Sequence, residues 1–261
     1  MTHAVPDLDL LPAACGRRTD QALLAVRTAI DRGEMKPGMK YSVYQLAKSL
    51  GISRTPTREA LLRLEDAGLI TFQARQGFTL RVPEPREIAE IFAVRLALET
   101  LAARRAAAFC DQQLAQALSH QRGLMHDAAA AADETAFAQH DLRLHDLIME
   151  AAGNNRARAI VKSLRETTRL LGASTADNTR TLHDIETEHD PVLSAIIDRD
   201  ADRAELAMRT HLVNTGKLLV IQAIECTKSS ACLNEVWSAA VEESESPTTV
   251  APGESEVRAD R

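Results

Sequence analysis

The sequence has few aromatic residues and no long apolar stretch. Aromatic side chains make up 3% of the 261 residues while 45% are hydrophobic, so the core must be mainly aliphatic. An apolar run of about 18 residues is missing, which excludes a membrane-spanning helix. The N-terminus also lacks the basic, apolar and small-residue regions of a secretion signal. We therefore predict a cytoplasmic protein that does not associate with membranes.

Cysteine is scarce and widely spaced. Cys15, Cys110, Cys226 and Cys232 do not follow the spacing of a structural zinc site. We predict that they are free thiols in a reducing compartment.

Charge is divided unevenly along the chain. Residues 1–83 contain 12 Lys and Arg against 8 Asp and Glu, whereas residues 84–261 contain 19 against 29. A basic N-terminal part joined to an acidic remainder is typical of a DNA-binding domain attached to a domain that does not contact DNA.

One segment has the features of a DNA-reading helix. Ser53 is a favourable N-cap whose hydroxyl can accept a bond from the first turn, Pro56 suits that turn, and Gly68 ends the helix. Arg54 and Arg58 are four residues apart and share a face near the N-terminal end. Arginine at this end of a recognition helix can read guanine in the major groove. An ordinary amphipathic helix with a solvated basic turn is the alternative, because such patterns are degenerate.

The flanking segments predict a winged helix-turn-helix. Helices are predicted at 20–32 and 43–50, and the second is followed closely by the DNA-reading helix. Segments 69–73 and 78–82 alternate as strands do, with a hairpin turn at 74–77 between them. Arg75 in this wing can contact the minor groove or a phosphate, and Gly77 lets the backbone come close. These contacts complete a predicted set of Ser53, Arg54, Thr55, Arg58, Arg75 and Gly77.

Several motifs within residues 20–83 identify a family. They are Pro37-Gly38, Leu46-Ala47, Ser53-Arg54-Thr55-Pro56, Arg58-Glu59-Ala60-Leu61, Gly68-Leu69 and the wing glycine. This segment resembles the N-terminal domain of the GntR family of bacterial transcription regulators. Many relatives carry Glu-Arg where this chain has Val43-Tyr44, so a contact from that position would have to come from the Tyr44 hydroxyl.

Residues 85–227 are predicted to be helical, in six helices. The motifs there are Arg95-x-x-Leu98-Glu99, Asp141-x-x-Leu144-His145, Gly153-Asn154, Glu188-His189, Ala195-Ile196, Asp200 and His211-Leu212. They resemble the FCD ligand-binding domain of the FadR branch of the GntR family, and six helices favour its shorter, VanR-like form. The predicted fold class is therefore mainly α, with a winged helix-turn-helix followed by an all-α antiparallel helix bundle.

The predicted organisation has five parts. The tail is predicted to be disordered because residues 244–261 have almost no large apolar side chains. The parts are a flexible arm (1–18), the DNA-binding domain (19–82), a linker (83–85), the effector- and metal-binding helical domain (86–227) and a disordered tail (228–261).

Four residues are predicted to bind a metal. Asp141 and His145 share a helix face, and His189 and His211 lie on the last two predicted helices. Spacing alone leaves solvated or hydrogen-bonded histidines as the alternative. The FCD resemblance implies that these four bind a divalent metal, for which zinc is the first choice and nickel, manganese or iron are possible. Pro191 is expected to kink or restart the fifth helix, which could displace His189.

The remaining charged residues give an effector hypothesis. In the FCD domain, the effector's carboxylate takes the open positions on the metal, and a buried anion also needs cationic partners. Arg95 is a candidate from the family motif, and Arg165 and Arg169 are four apart and can form a clamp. The alternatives are an Arg95–Glu99 pair and a surface salt bridge for the other two. Among the remaining histidines, His120, His126 and His140 are predicted to be solvated, and His183 lies off the face that carries His189.

Together these features predict a transcription regulator, not an enzyme. A homodimer would bind palindromic double-stranded DNA, mostly as a repressor, and a small organic acid would control that binding. One alternative is a metal-independent regulator that responds to an acyl thioester. Another is a metal-dependent hydrolase with a DNA-binding head, which would need a general base beside the metal.

Overall fold

The computed structural model describes residues 3, 5–6, 17–73, 76–170 and 180–242. The described chain is mainly helical, with a winged helix domain followed by a helical domain, which confirms the predicted fold class. Within these ranges no helix is long and apolar enough to cross a membrane.

The N-terminal domain combines three helices with a small antiparallel sheet. Its elements are α1 (Arg18–Asp31), β1 (Lys40–Tyr41), α2 (Val43–Ser49), α3 (Arg54–Asp66), β2 (Ile70–Gln73) and β3 (Gly77–Leu80). β3 is the central strand, and its Phe78 is paired with Tyr41 of β1 and Phe72 of β2. The hairpin of β2 and β3 was predicted. β1 was not, because two residues are too few to show the alternation of a strand.

The core of this domain fixes the orientation of α3. Leu61 and Leu64 of α3 are completely buried with Leu46 of α2 and Phe78 of β3. Because this face of α3 is held in the core, the two arginines near its N-terminal end lie in solvent.

Part of the predicted flexible arm lies against this domain. The backbone N–H of His3 donates to the carbonyl of Lys40 at 2.8 Å, and the Ser49 hydroxyl donates to the carbonyl of Pro6 at 2.7 Å. Val5 packs against the same core. The sequence did not indicate these contacts, because backbone pairing leaves no side-chain pattern.

The C-terminal domain is a bundle in which two long helices pack along each other. Its elements are α4 (Pro85–Ala108), α5 (Gln112–Ala130), α6 (Glu134–Ala151), α7 (Asn155–Leu170), α8 (Leu182–Thr187), α9 (Asp190–Ile197), α10 (Ala201–Thr227), α11 (Leu233–Trp237) and a π-helical turn (Ser238–Glu242). α4 and α10 form the most extensive pairing of elements. The largest fully buried side chains between the helices are Phe92, Leu118, Met125 and Leu144.

The fifth predicted helix is two helices, α8 and α9. α8 begins with a capping box, in which the Thr181 hydroxyl accepts from the Asp184 N–H and the Asp184 carboxylate accepts from the Thr181 N–H. Pro191 lies in the first turn of α9, where its missing N–H costs nothing, so the chain restarts a helix there. His189 is the N-cap of α9 and keeps a helical backbone conformation.

Residues 228–242 are folded, so the prediction of a disordered tail was wrong for this part. Trp237 is 2% exposed and Val241 is 5% exposed, and both belong to the main core. Trp237 packs against Phe92 of α4, with ring centroids 6.4 Å apart. The sequence pattern was misleading because α11 is only five residues long and places few apolar side chains inward. Residues 243–261 lie outside the described ranges.

Arg81 connects the two domains beyond the β3 strand. Its guanidinium donates to the carbonyl of Gly68 at 2.7 Å, just after α3. It also pairs with Glu87 in the first turn of α4 at 2.9 Å. The end of the DNA-reading helix and the start of the helical domain therefore share one side chain.

Candidate nucleic-acid interface and metal centre

A groove runs between α2, the start of α3 and the wing. Its lining includes Lys40, Ser42, Tyr44, Arg54, Arg58, Phe72, Gln76 and Gly77. Of the predicted contact residues, Arg54, Arg58 and Gly77 line this groove together. Ser53 and Thr55 are exposed on either side of Arg54 in the chain but are not among the residues that line it.

The N-terminal turn of α3 presents its polar groups outward. Ser53 is the N-cap, but its side chain makes no capping hydrogen bond, so that part of the prediction was wrong. The Thr57 hydroxyl instead donates to the Ser53 carbonyl at 3.0 Å and is buried. The Arg58 guanidinium lies 5.3 Å from the centre of the Phe72 ring, a cation–π contact that orients it beside the wing.

The close approach of strands β1 and β3 requires a glycine at position 77. Its φ is +104°, and a Cβ at this position would lie 2.1 Å from the carbonyl oxygen of Tyr41. The glycine therefore lets β1 and β3 approach each other, a role that sequence reasoning did not find. Lys40 and Gln76, which hydrogen bond to each other, are further groove residues that it missed. Arg75 lies outside the described residues.

The four predicted metal ligands meet inside the helical domain. Nε2 of His189 lies 3.1 Å from Oδ1 of Asp141 and 3.4 Å from Nε2 of His145. Nε2 of His145 lies 3.8 Å from the same carboxylate oxygen. The His211 ring centroid is 4.4 Å from that of His189. All three imidazoles are buried, and Pro191 has not moved His189 out of the cluster.

Two of these imidazoles, those of His145 and His189, are oriented by contacts of Nδ1, the ring nitrogen that faces away from the cluster. Nδ1 of His145 lies 2.6 Å from Oε2 of Glu99. Nδ1 of His189 lies 2.9 Å from the carbonyl oxygen of Ile185, which can only accept, so this Nδ1 carries the proton. In both residues Nε2 is directed at the centre of the cluster, as in histidines that bind metals.

Glu188 occupies a comparable position beside the third imidazole. Its Oε2 lies 3.7 Å from Nδ1 of His211, and neither atom has a hydrogen-bond partner among the described residues. Arg180 pairs with the other oxygen of Glu188 at 2.6 Å. Sequence reasoning missed Glu188 as a partner of His211, and it assigned Glu99 to Arg95 alone.

The surroundings keep His145 and His211 neutral and Asp141 ionised. Burial, with Arg165 nearby, lowers the pKa of His145 to about 3, and burial beside His189 lowers the pKa of His211 to about 4. Burial alone would raise the pKa of Asp141, but Arg165 holds it well below its usual range. At neutral pH the cluster therefore offers imidazole lone pairs and a carboxylate, a donor set that suits a borderline divalent ion.

The three predicted effector arginines line one cavity beside this cluster. The cavity has a volume of about 790 Å³, and Asp141 and His211 also line it. Arg95 is bound to Glu99 at 2.6 Å, which is the pairing considered as its alternative role. Arg165 binds Asp141 and lies 3.8 Å from Glu99, so it is a buried group and not part of a surface salt bridge.

The cavity has a mixed lining and reaches the N-terminal domain. Phe137, Leu142 and Leu219 add apolar surface to the arginine side. Arg32 and Gly33, just after α1, line its end. A molecule of a few carbon atoms bearing a negative charge fits this combination of apolar wall and arginines.

Comparisons with known proteins agree with this architecture. The FCD domain matches residues 90–214, and the gntR family of bacterial regulatory proteins matches residues 18–80. An HTH-type transcriptional regulator of Agrobacterium vitis is 31% identical over 138 residues, which cover 52% of this chain and 81% of that protein. The transcriptional repressor RspR of Escherichia coli is 27% identical over 180 residues, which cover 67% and 77%.

A solved structure gives the same fold. The chain of E. coli McbR/YncC superposes with a TM-score of 0.65 at 22% identity and covers 80% of this chain and 99% of its own. The gntR match falls on the N-terminal winged helix domain, and the FCD match falls on the C-terminal helical domain. The chain belongs to the gntR family of bacterial regulatory proteins and is a DNA-binding transcription regulator with a C-terminal FCD domain.

Proposed function

We propose that this regulator holds a divalent metal at Asp141, His145, His189 and His211, and that a small organic acid bound beside it controls operator binding. When bound, the metal supplies a Lewis-acidic centre that attracts a carboxylate. Asp141 and the three imidazoles hold the ion, and the arginines orient the acid.

The contact between His189 and Asp141 carries the proposal. Nδ1 of His189 donates to a carbonyl, so in the neutral ring Nε2 is an acceptor. That acceptor lies 3.1 Å from an oxygen of Asp141, which is also an acceptor when ionised. Two acceptors at hydrogen-bond distance, one of them on a buried ring, repel each other unless a cation lies between them. A divalent ion satisfies both; a second proton on His189 is the alternative.

The charges around the cluster favour an anionic effector. Arg95 and Arg165 balance Glu99 and Asp141, so the described groups nearest the imidazoles are neutral in sum. A divalent ion would leave this buried region with excess positive charge, which a carboxylate can reduce. The same argument disfavours a fatty acyl thioester, because its long apolar chain would lie against the arginines of the cavity.

The described carboxylates nearest the cluster are poorly suited to the general base that the hydrolase alternative needs. Glu188 pairs with Arg180 through one oxygen and faces Nδ1 of His211 with the other. Glu99 is engaged by Arg95 and by His145, and Asp141 is engaged by Arg165. A general base must be within reach of the attacking water. The relatives named above are transcription regulators, which also favours control of DNA binding over catalysis.

We further propose that the protein acts as a homodimeric repressor. A two-fold dimer would present two copies of α3 to the half-sites of a palindromic operator. RspR is named as a repressor, which supports that direction of regulation. Bound acid would contact α4, α6 and α7 around the cavity, and Arg81 connects α4 to the end of α3.

A thermal-shift screen of mono- and dicarboxylates and sugar acids tests this proposal. An acid present at 100 times its Kd stabilises the folded protein by about 2.7 kcal/mol, which raises the melting temperature. The expected result is that one acid stabilises the wild type, that a chelator abolishes the shift, and that the His145→Ala protein does not respond. The His120→Ala protein, which loses an exposed histidine elsewhere, should respond normally. Stabilisation that survives both the chelator and His145→Ala would refute the proposal.

A further inference from the structure

A second group of metal-ligating side chains lies at the surface of the helical domain. His183 and Glu186 are three residues apart on α8, and His126 extends from α5. Nδ1 of His126 and Nδ1 of His183 lie 3.1 and 3.0 Å from the same oxygen, Oε2 of Glu186. We propose that His126, His183 and Glu186 form a second binding site for a divalent transition-metal ion. None of the inner ligands takes part in it.

Glu186 is an unusual carboxylate because it is buried next to exposed partners. Its side chain is 2% exposed, whereas those of His126 and His183 are 58% and 65% exposed. A buried carboxylate needs a cation or several donors. The nearest arginine, Arg122, is 3.8 Å from its other oxygen and is held by Asp190 in a two-pronged pair at 2.6 and 2.9 Å. The two imidazoles therefore supply the closest partners of the Glu186 charge.

These imidazoles can change from hydrogen-bond donors to metal ligands at little cost. Each ring can donate an Nδ1–H to Glu186. To bind a metal, Nδ1 must offer its lone pair, so the proton must move to Nε2. The exposed rings can place an Nε2–H in water, which accepts its hydrogen bond. The rings of His145 and His189 in the inner cluster are fixed by Glu99 and a backbone carbonyl.

The distances suit an ion that accepts nitrogen and oxygen ligands. With metal–ligand bonds of about 2.0–2.1 Å, two donors 3.0–3.1 Å apart subtend about 95° at the ion. This angle fits five- or six-fold coordination, and exposed rings can open it towards a tetrahedral angle. Water would fill the remaining positions. Two imidazoles favour zinc, nickel, cobalt or copper over magnesium and calcium.

An ion at this site would fasten α8 to α5. α8 ends two residues before His189, so the surface site holds the segment that carries an inner ligand. Nevertheless the two sites use different side chains and can be tested separately.

Zinc binding to the full-length protein, measured by equilibrium dialysis and metal analysis, tests the surface site. Both histidines are exposed, so the His126→Ala/His183→Ala protein should keep its fold, which circular dichroism checks. We expect this double variant to bind one zinc ion fewer per chain than the wild type. The His120→Ala protein, changed at an exposed histidine on the same helix, should match the wild type. Equal zinc binding by the wild type and the double variant would overturn the proposal.

A protein without the inner metal ligands tests the surface site independently of the proposed function. We call this variant, Asp141→Ala/His145→Ala, the inner-site background. The Asp141→Ala/His145→Ala protein should still bind one zinc ion per chain, and further replacement of His126 and His183 should remove it. Glu186→Gln in the same background should weaken that binding at least tenfold, because a neutral amide replaces the charged ligand. Failure of the inner-site background to bind zinc overturns the surface site, whatever the wild type binds at the inner cluster.

Discussion

Gly216 of α10 makes room for Trp237 of the C-terminal segment, and its replacement by alanine should measure that contact. A Cβ on Gly216 would lie 2.5 and 2.7 Å from two carbons of the indole and 2.8 Å from a carbon of Phe92. These separations are too short for carbon atoms, so the indole or the helix must move. The contact exists only if residues 233–237 are folded onto the bundle.

The expected free energies follow from opposing effects. Replacing a glycine inside a helix with alanine stabilises the helix by about 1 kcal/mol. Forcing a methyl group into a packed core costs about 1–3 kcal/mol, so Gly216→Ala should be neutral to destabilising by about 2 kcal/mol. Trp237→Ala should cost about 3–5 kcal/mol, because it empties the space of a buried indole. In the Trp237→Ala background the indole no longer blocks the new methyl group and Phe92 can shift into the vacated space, so Gly216→Ala should be neutral or stabilising.

Chemical denaturation of all four proteins in this double-mutant cycle, followed by far-ultraviolet circular dichroism, measures the coupling. We expect a coupling energy of about 1–3 kcal/mol between the two positions. Trp237 is the single tryptophan of the chain, so the wild type should also show a blue-shifted emission that external quenchers do not reach. Additive effects, or a Trp237→Ala change that leaves stability unaltered, would show that the segment does not pack as described.

Four further substitutions test operator binding and its link to the effector domain. Arg54→Ala and Arg58→Ala should each cost about 1–3 kcal/mol of operator affinity in fluorescence anisotropy, whereas Arg63→Ala, on the same helix but paired with α1, should not. Gly77→Ala should lower the melting temperature of the N-terminal domain and weaken operator binding, because the new Cβ meets the backbone of β1. In the absence of effector, Arg81→Ala should leave operator binding nearly unchanged. It should reduce the change in operator binding that the effector causes, because it removes the side chain that links the end of α3 to α4. An unaltered effector response would exclude this link.

Local chemistry made α3 and its neighbours predictable. Each signal is recognised from one residue and its immediate neighbours: the N-cap at Ser53, the proline in the first turn and the glycine after the helix. The same holds for Pro191, whose backbone restriction required a kink or a new start and produced the boundary between α8 and α9. The strand β1 and the helix α11 were missed because each is short and is stabilised by contacts with distant residues.

The metal cluster was likewise predictable where residues are close in sequence and not where distant residues meet. Asp141 and His145 share one helix face and could be paired from spacing, whereas His189 and His211 were connected to them only by the family resemblance. Glu99 and Glu188 could not be assigned to their imidazoles, since 46 residues separate Glu99 from His145 and packing alone brings them together. His126 was correctly expected on the surface, but the convergence of His126 and His183 on the buried Glu186 depends on the packing of α5 against α8.

The most direct test of the proposed regulation is operator binding in the presence of the acid that stabilises the protein best. Fluorescence anisotropy would compare the wild type with His189→Ala, each with and without that acid. We predict that the acid changes the operator Kd of the wild type at least tenfold, and that it leaves the variant unchanged, although the variant still binds DNA. An acid that changes operator binding equally in both proteins would contradict a metal-anchored effector site.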